Sequence, residues 1–220
     1  MFLLYLLPPL SALQFLNPAY WQATHTTAQH LQNAIPSNEK TLLLANDPKL
    51  VYYVPNPRQL TFIGVTGKDD NQGIGAMEIA SREAAAKLNI PNFVFLDAVQ
   101  TPLQKLDITA NSCDVAVCVH ALDDVPTLEA QLAIQVLTRC LKPGGRFIWV
   151  GKPTCDFDNL ASAANLEPMG PGLPYALDDK GLRLGVARKP ADSPRETNVN
   201  GGRSSRAERR RGRKKMGKKS

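Results

Sequence analysis

The chain has 220 residues, 43% of them apolar, with a formal net charge of +6. That suits one domain of ordinary size with tails, apolar enough to bury a core. Its four cysteines, Cys113, Cys118, Cys140 and Cys155, form no CxxC pair, which argues against a zinc site or disulfide framework and for a reducing compartment.

Residues 1–16 (MFLLYLLPPLSALQFL) are strongly apolar, but short for a membrane span and broken by Pro8-Pro9. No Lys or Arg precedes Lys40, so neither a secretory signal nor a mitochondrial presequence fits well. The segment reads as docked on the domain or in peripheral contact with a membrane, with an anchor or a cleaved signal as alternatives. Residues 20–31 read as a helix ending before Pro36. His25 and His30 lie five apart, which does not give a shared ligand face, and both are expected on the polar side.

Strands are expected at 41–45 (TLLLA) and 60–66 (LTFIGVT). A helix follows at 75–88, with Met77, Ile79, Ala80, Ala84 and Leu88 as its apolar stripe. A third strand spans 93–96, with Asp97-Ala98 at its end. Residues 113–119 (CDVAVCV) read as a strand buried on both faces. Pro126 and Thr127 open a helix with Glu129 in its first turn. Leu128, Leu132, Ile134, Val136, Leu137 and Leu141 give it a stripe. Lys142-Pro143-Gly144-Gly145 stops it, and 147–150 is the next buried strand. A short helix at 157–165, a loop at 169–175 (MGPGLPY) and a strand at 182–187, paired with an ill-defined strand before it, complete the body. Residues 191–220 carry eleven Lys and Arg against three acids, a net +8, so the first 190 residues sum to −2. This stretch has no aromatic residue and reads as a disordered basic tail.

Strand 113–119, its helix and strand 147–150 form a right-handed parallel crossover. The run CDVAVCVHALDDVP…LTRCLKPGGRFIWVGK resembles the second half of class I S-adenosylmethionine-dependent methyltransferases, in the small type-11-like branch. The resemblance covers about residues 41–189. It implies an α/β, Rossmann-like fold: a mostly parallel seven-stranded sheet with helices on both faces and an antiparallel C-terminal hairpin. The implied organisation is an N-terminal segment and helix (1–40), a methyltransferase-like domain (41–190) and the tail (191–220).

The resemblance also implies a cofactor, S-adenosyl-L-methionine, lying across the C-terminal ends of the first strands. The family's glycine loop after its first strand falls here on Ala45, Asn46 and Asp47, in a stretch with no glycine and with Pro48 lacking an amide donor. The acidic residue that grips the ribose falls on Thr66, with Asp69 and Asp70 as substitutes or as a solvated turn. The adenine-side acid falls on Asp97, next to Ala98. His120, after the fourth strand, with Asp123 and Asp124 behind it, is the candidate for positioning a methyl acceptor or acting as a base. A competing pattern, Val65-Thr66-Gly67…Gly73-Ile74-Gly75, resembles the fingerprint of short-chain dehydrogenases. Its glycines are spaced too widely, and no Tyr-x-x-x-Lys occurs.

Two functions follow. One is a methyltransferase acting on a small-molecule or lipid-like acceptor, working by orientation. The other is a catalytically inactive, methyltransferase-like binding or assembly protein. In either case Arg203 to Ser220 is expected to bind RNA or DNA phosphates without reading sequence. The same cluster suits a nuclear-import address. The protein is expected inside the cell, in nucleus or cytoplasm, with membrane association as the alternative.

Overall fold

The computed structural model describes residues 18–65, 73–98, 102–152, 154–169, 175–177 and 182–191. The expectations for residues 1–16, Thr66, Asp69, Asp70 and the basic tail lie outside them. Eight strand segments are ordered β3-β2-β1-β4-β5-β8-β6, with β7 also on β8. They are β1 (Lys40–Ala45), β2 (Gln59–Gly64), β3 (Phe93–Asp97), β4 (Cys113–Val119), β5 (Leu141–Gly151), β6 (Glu167–Pro168), β7 (Tyr175–Leu177) and β8 (Leu182–Arg188). β6 meets β8 at Ala187 and Arg188, and β7 meets it at Leu182 to Leu184. They share one edge lane, so the sheet has seven lanes. β1 to β5 run parallel, and β8 is antiparallel to β5.

The helices are α1 (Pro18–Ala34), α2 (Ile74–Lys87), α3 (Thr127–Cys140) and α4 (Phe157–Ala163), with 3-10 turns at Pro48–Tyr53 and Leu103–Lys105. Alternation along the strands sends side chains to opposite faces. Leu42 and Leu44 join Ala116, Cys118 and Trp149 under α3 and α4. Leu43 and Ala45 join Val117, Phe62 and Ile148 with residues of α1 and α2. The expected layered fold is therefore present. Among the described residues the crossover from β3 to β4 carries the Leu103–Lys105 turn and no α-helix, and Val94 of the edge strand is 38% exposed.

Two predicted stripes are corrected. In α3, Leu128 and Leu132 are 69% and 37% exposed, and Ala130, Ala133 and Cys140 take the buried positions instead. In α2, Ile79 and Leu88 face outward, and Ser81 and Ala85 face inward. Small residues share these faces with larger ones, Ala130, Ala133 and Cys140 beside Ile134, Val136 and Leu137 in α3, and Ser81, Ala84 and Ala85 beside Met77 in α2. The Lys142 to Gly145 stop is a bulge inside β5 rather than a separate turn. The register jumps from Cys113↔Leu141 to Val115↔Arg146, and Gly144 takes φ +79°. All four cysteines are buried and none is in a disulfide, and burial pushes the Cys118 thiol far up and that of Cys155 to about 11.

The N-terminal ends of the central strands are pinned by charge. Asp114 of β4 accepts from the Lys40 backbone N–H (3.0 Å), Arg58 Nη2 (3.3 Å) and Lys142 Nζ. Burial alone would raise its carboxyl, but these hydrogen bonds outweigh it and the pKa is lowered. Glu39 alongside is raised, first by burial and then by its hydrogen bond with Asp114.

His30 is not on a polar face. It is half-buried, and its Nε2 has no hydrogen-bond partner among the described residues. Burial lowers its pKa below 6.5, and a hydrogen bond with the Gly185 backbone opposes that shift only partly. A lowered folded pKa means that the unfolded chain takes up the proton more readily. The neutral ring's contribution is present above pH 6.5 and is lost as pH falls through the folded value. The melting temperature is expected to decline from pH 7.5 through this window, and His30→Gln to flatten that slope. An unchanged slope in the variant would refute the assignment.

Candidate functional site: a crevice at the strand ends

β1, β2, β3 and β4 end on one side of the sheet, where open α/β folds place their ligand crevice. A cavity of about 480 Å³ opens there. It is lined by Leu44, Val65 and Ala98 from the strand ends, Leu103 from the turn after β3, Ala121 and Leu122 after β4, and Val125, Glu129 and Ala133 from α3. Its backbone frame is tight: Val65 N–H donates to Ala45 O at 3.1 Å and Ala98 N–H to Gly64 O at 3.1 Å. Gly64 is required where it stands. A Cβ there would lie 2.7 Å from the Phe95 ring and 3.0 Å from Met77 Sδ. A larger hollow, of about 740 Å³, runs along the outer side of α3 and α4 beside Arg139 and Lys189, away from the strand ends.

The predicted site residues divide. Ala98 lines the cavity and Asp97, the last residue of β3, immediately precedes it. Ala45 is fully buried on the opposite sheet face, and the cavity wall there is its neighbour Leu44. Asn46 and Asp47 are half-buried at the loop start. Thr66 falls in the undescribed stretch. Leu44, Val65, Leu122 and Val125 escaped sequence reasoning because apolar residues at strand ends look like core.

The loop after β1 is a 3-10 helix capped by Asp47. Its carboxylate accepts from Lys49 N–H at 2.8 Å, and its carbonyl accepts from Leu50 N–H at 3.2 Å. With Pro48 lacking an N–H, the amides that a glycine loop would offer a ligand are consumed locally.

Past β4 the chain turns sharply at His120, with φ +52°. Its N–H donates to Val150 O at 2.8 Å. Its Nδ1 lies 2.7 Å from Asp123 Oδ2, and Asp123 Oδ1 accepts from the Lys152 backbone N–H at 2.8 Å. The Asp123 side chain is 4% exposed and the His120 ring 31%. Lys152 Nζ pairs with Asp124 at 3.1 Å at the rim. Gly151 makes this packing fit, because a Cβ on it would fall 2.6 Å from both Asp123 Oδ1 and the Phe157 ring. Among the described residues no cluster of side chains suits a metal ion.

Residues 72–149 match a family model described as a methyltransferase domain. No curated protein matches the chain. Among solved structures, N-methyltransferase NodS from Bradyrhizobium japonicum, in complex with S-adenosyl-L-homocysteine, is 17% identical, with a TM-score of 0.56 over 79% of this chain and 89% of that one. The chain has the class I S-adenosylmethionine-dependent methyltransferase fold. Geranyl diphosphate methyltransferase, in complex with GPP and sinefungin, is 10% identical at a TM-score of 0.53, over 75% of this chain and 78% of that one. The [4+2]-cyclase SpnF is 14% identical at 0.56, over 78% and 82%. A cyclase in this company illustrates that a methyltransferase fold carries more than one chemistry, so the activity has to be argued from the crevice itself.

The methyltransferase fold implies S-adenosylmethionine, and the two ends of the crevice differ in what they offer a ligand. An apolar cavity of this size between Ala98 and Leu122 suits an adenosine. The loop after β1 offers few free amides to an amino-acid carboxylate, and Asp47 adds a negative charge beside it.

Proposed function

We propose that the chain is an S-adenosylmethionine-dependent methyltransferase acting on a small-molecule or lipid-like acceptor. The observation that carries this reading is the apolar cavity at the ends of β1 to β4, whose wall includes Ala98, which follows Asp97, and Ala121, which follows His120. Leu44, Val65, Ala98 and Leu122 would enclose the adenosine. Asp97 would accept from its amino group, and Asn46 and Asp47 would meet the amino-acid half weakly. The cofactor, when bound, supplies an electrophilic methyl group. The chain's own part is to exclude water and align the acceptor, the main source of rate in such transfers.

A second reading is a binding or assembly module that no longer transfers methyl. The specific observation favouring it is the capped 3-10 turn in place of the glycine loop. Calorimetric titration with S-adenosylmethionine and S-adenosylhomocysteine separates the two. The methyltransferase reading expects measurable but weak binding. Asp97→Ala should weaken it about ten- to a hundred-fold, the effect of losing a charge-assisted hydrogen bond worth about 1.5–3 kcal/mol. Heat from neither ligand would favour the second reading. Binding indifferent to Asp97→Ala would remove the adenine contact from the account.

A further inference from the structure

We propose that His120 is the proton acceptor for a protic methyl acceptor, a hydroxyl or a protonated amine, and that Asp123 is the residue that positions it for this role. The inference rests on the methyltransferase reading and names the class of acceptor.

The backbone gives the first argument. Seven described non-glycine residues have positive φ, and six of them are asparagines, the residue that tolerates this region best. His120 is the seventh. Histidine is also enriched in this region, so the turn fixes where the ring leaves the chain without requiring strain. The His120 N–H to Val150 O bond holds it in place.

The second argument is the tautomer. An ionised carboxylate only accepts hydrogen bonds, so in the neutral ring Nδ1 carries the proton toward Asp123 Oδ2. That leaves the Nε2 lone pair bare. Among the described residues Nε2 has no partner, and the ring is partly open to solvent one residue before Ala121 of the cavity wall. A side chain needed only to tie down this turn has no use for a second ring nitrogen left free.

The third is the effort spent on Asp123. Its carboxylate is buried, fixed by the Lys152 N–H, and made room for by Gly151. Such a second partner fixes the ring's orientation and tautomer. The titratable groups that feel the Asp123 charge are Cys118 and Cys155, both held neutral by burial, and Asp124 beside it pairs with Lys152.

The chemistry balances. The acceptor's heteroatom bonds to the incoming methyl as the methyl–sulfur bond breaks and leaves its pair on sulfur. The acceptor's proton moves to Nε2, and Asp123 stabilises the imidazolium until solvent takes the proton.

The test exploits the Lys152 N–H. In Asp123→Asn this donor keeps the amide oxygen, so the amide nitrogen faces Nδ1 and donates to it. The ring must then carry its proton on Nε2, the wrong tautomer for a base. Long-range ¹H–¹⁵N spectra of the histidine-labelled full chain should show protonated Nδ1 and bare Nε2 in the parent, reversed in Asp123→Asn. Methyl transfer from labelled S-adenosylmethionine to a panel of phenols, alcohols and amines should fall at least about a hundred-fold in His120→Gln and in Asp123→Asn, the usual scale of general-base catalysis. Binding of S-adenosylhomocysteine should stay unchanged in both variants. The parent's rate should follow an ionisation with pH that His120→Gln abolishes. A parent ring protonated on Nε2, variant rates equal to the parent's, or a cofactor-binding parent that methylates nothing on the panel would each overturn the proposal. Absence of cofactor binding would instead overturn the methyltransferase reading beneath it, and the spectra would still judge the His120–Asp123 geometry.

Discussion

Trp149→Ala is expected to lower the melting temperature by about 6–20 °C. The indole is 4% exposed and packs between two rings, with centroids 5.7 Å from Phe147 and 5.7 Å from Phe157. It also covers Gly185 of β8. A Cβ there would lie 2.0 Å from Trp149 Cζ2, so the glycine is a slot cut for this ring. Truncation leaves a cavity under α4 that no neighbouring side chain can fill. Aromatic-to-alanine changes in cores cost about 3–5 kcal/mol, and a domain of this size responds by roughly 2–4 °C per kcal/mol. Trp149→Phe should recover much of the loss. A thermal melt of the alanine variant within a degree or two of the parent's would show that this layer is not part of the cooperative core.

The second large effect is at Lys189. Its residue is 7% exposed, yet among the described residues no carboxylate meets it. Nζ donates instead to Asn111 Oδ1 (3.1 Å), Thr138 O (3.0 Å) and Leu141 O (2.9 Å), using all three of its protons. Two of these are carbonyls at the C-terminal end of α3, where a cation is favoured by the helix dipole. Asn111 is itself at positive φ and receives the chain from the β3–β4 crossover. One side chain thus ties the last strand to α3 and to the entrance of β4. Lys189→Met keeps the stem but removes the donor from one buried and two partly buried acceptors, about 3 kcal/mol overall. The melting temperature should fall by about 6–12 °C. Arginine should not rescue it, because a planar fork cannot meet three acceptors grouped around one nitrogen. Equal denaturant midpoints for parent and methionine variant would refute this account.

Sequence patterning identified the layered fold because β1, β4 and the end of β5 are apolar on both faces, the mark of a covered parallel strand. It misplaced Leu128, Leu132, Ile79 and Leu88. Periodicity locates a stripe but does not say whether small residues will carry the contact. Lys189 before a proline looks like a solvated end, and only the tertiary arrangement of three acceptors reveals otherwise. Ala98, which lines the crevice, was legible from its place after β3, and His120 was picked out from its place after β4, one residue before the wall at Ala121. Asp123 was seen only as a loop acid. The signal that could have found it is a carboxylate three residues after a strand-end histidine, with a glycine at the end of the neighbouring strand.

The sheet order has a consequence for synthesis. β1 lies between β2 and β4, and Ala45 pairs with Val119, 74 residues later. At about 5–20 residues per second, the ribosome needs roughly 4–15 s to cover that distance. Throughout that interval KTLLLA is an apolar strand with one edge unsatisfied. The nascent chain therefore depends on a holding chaperone, or on transient cover from its own α1, until β4 emerges. Codon-level slowing between β2 and β4 should lower soluble yield without altering the finished protein.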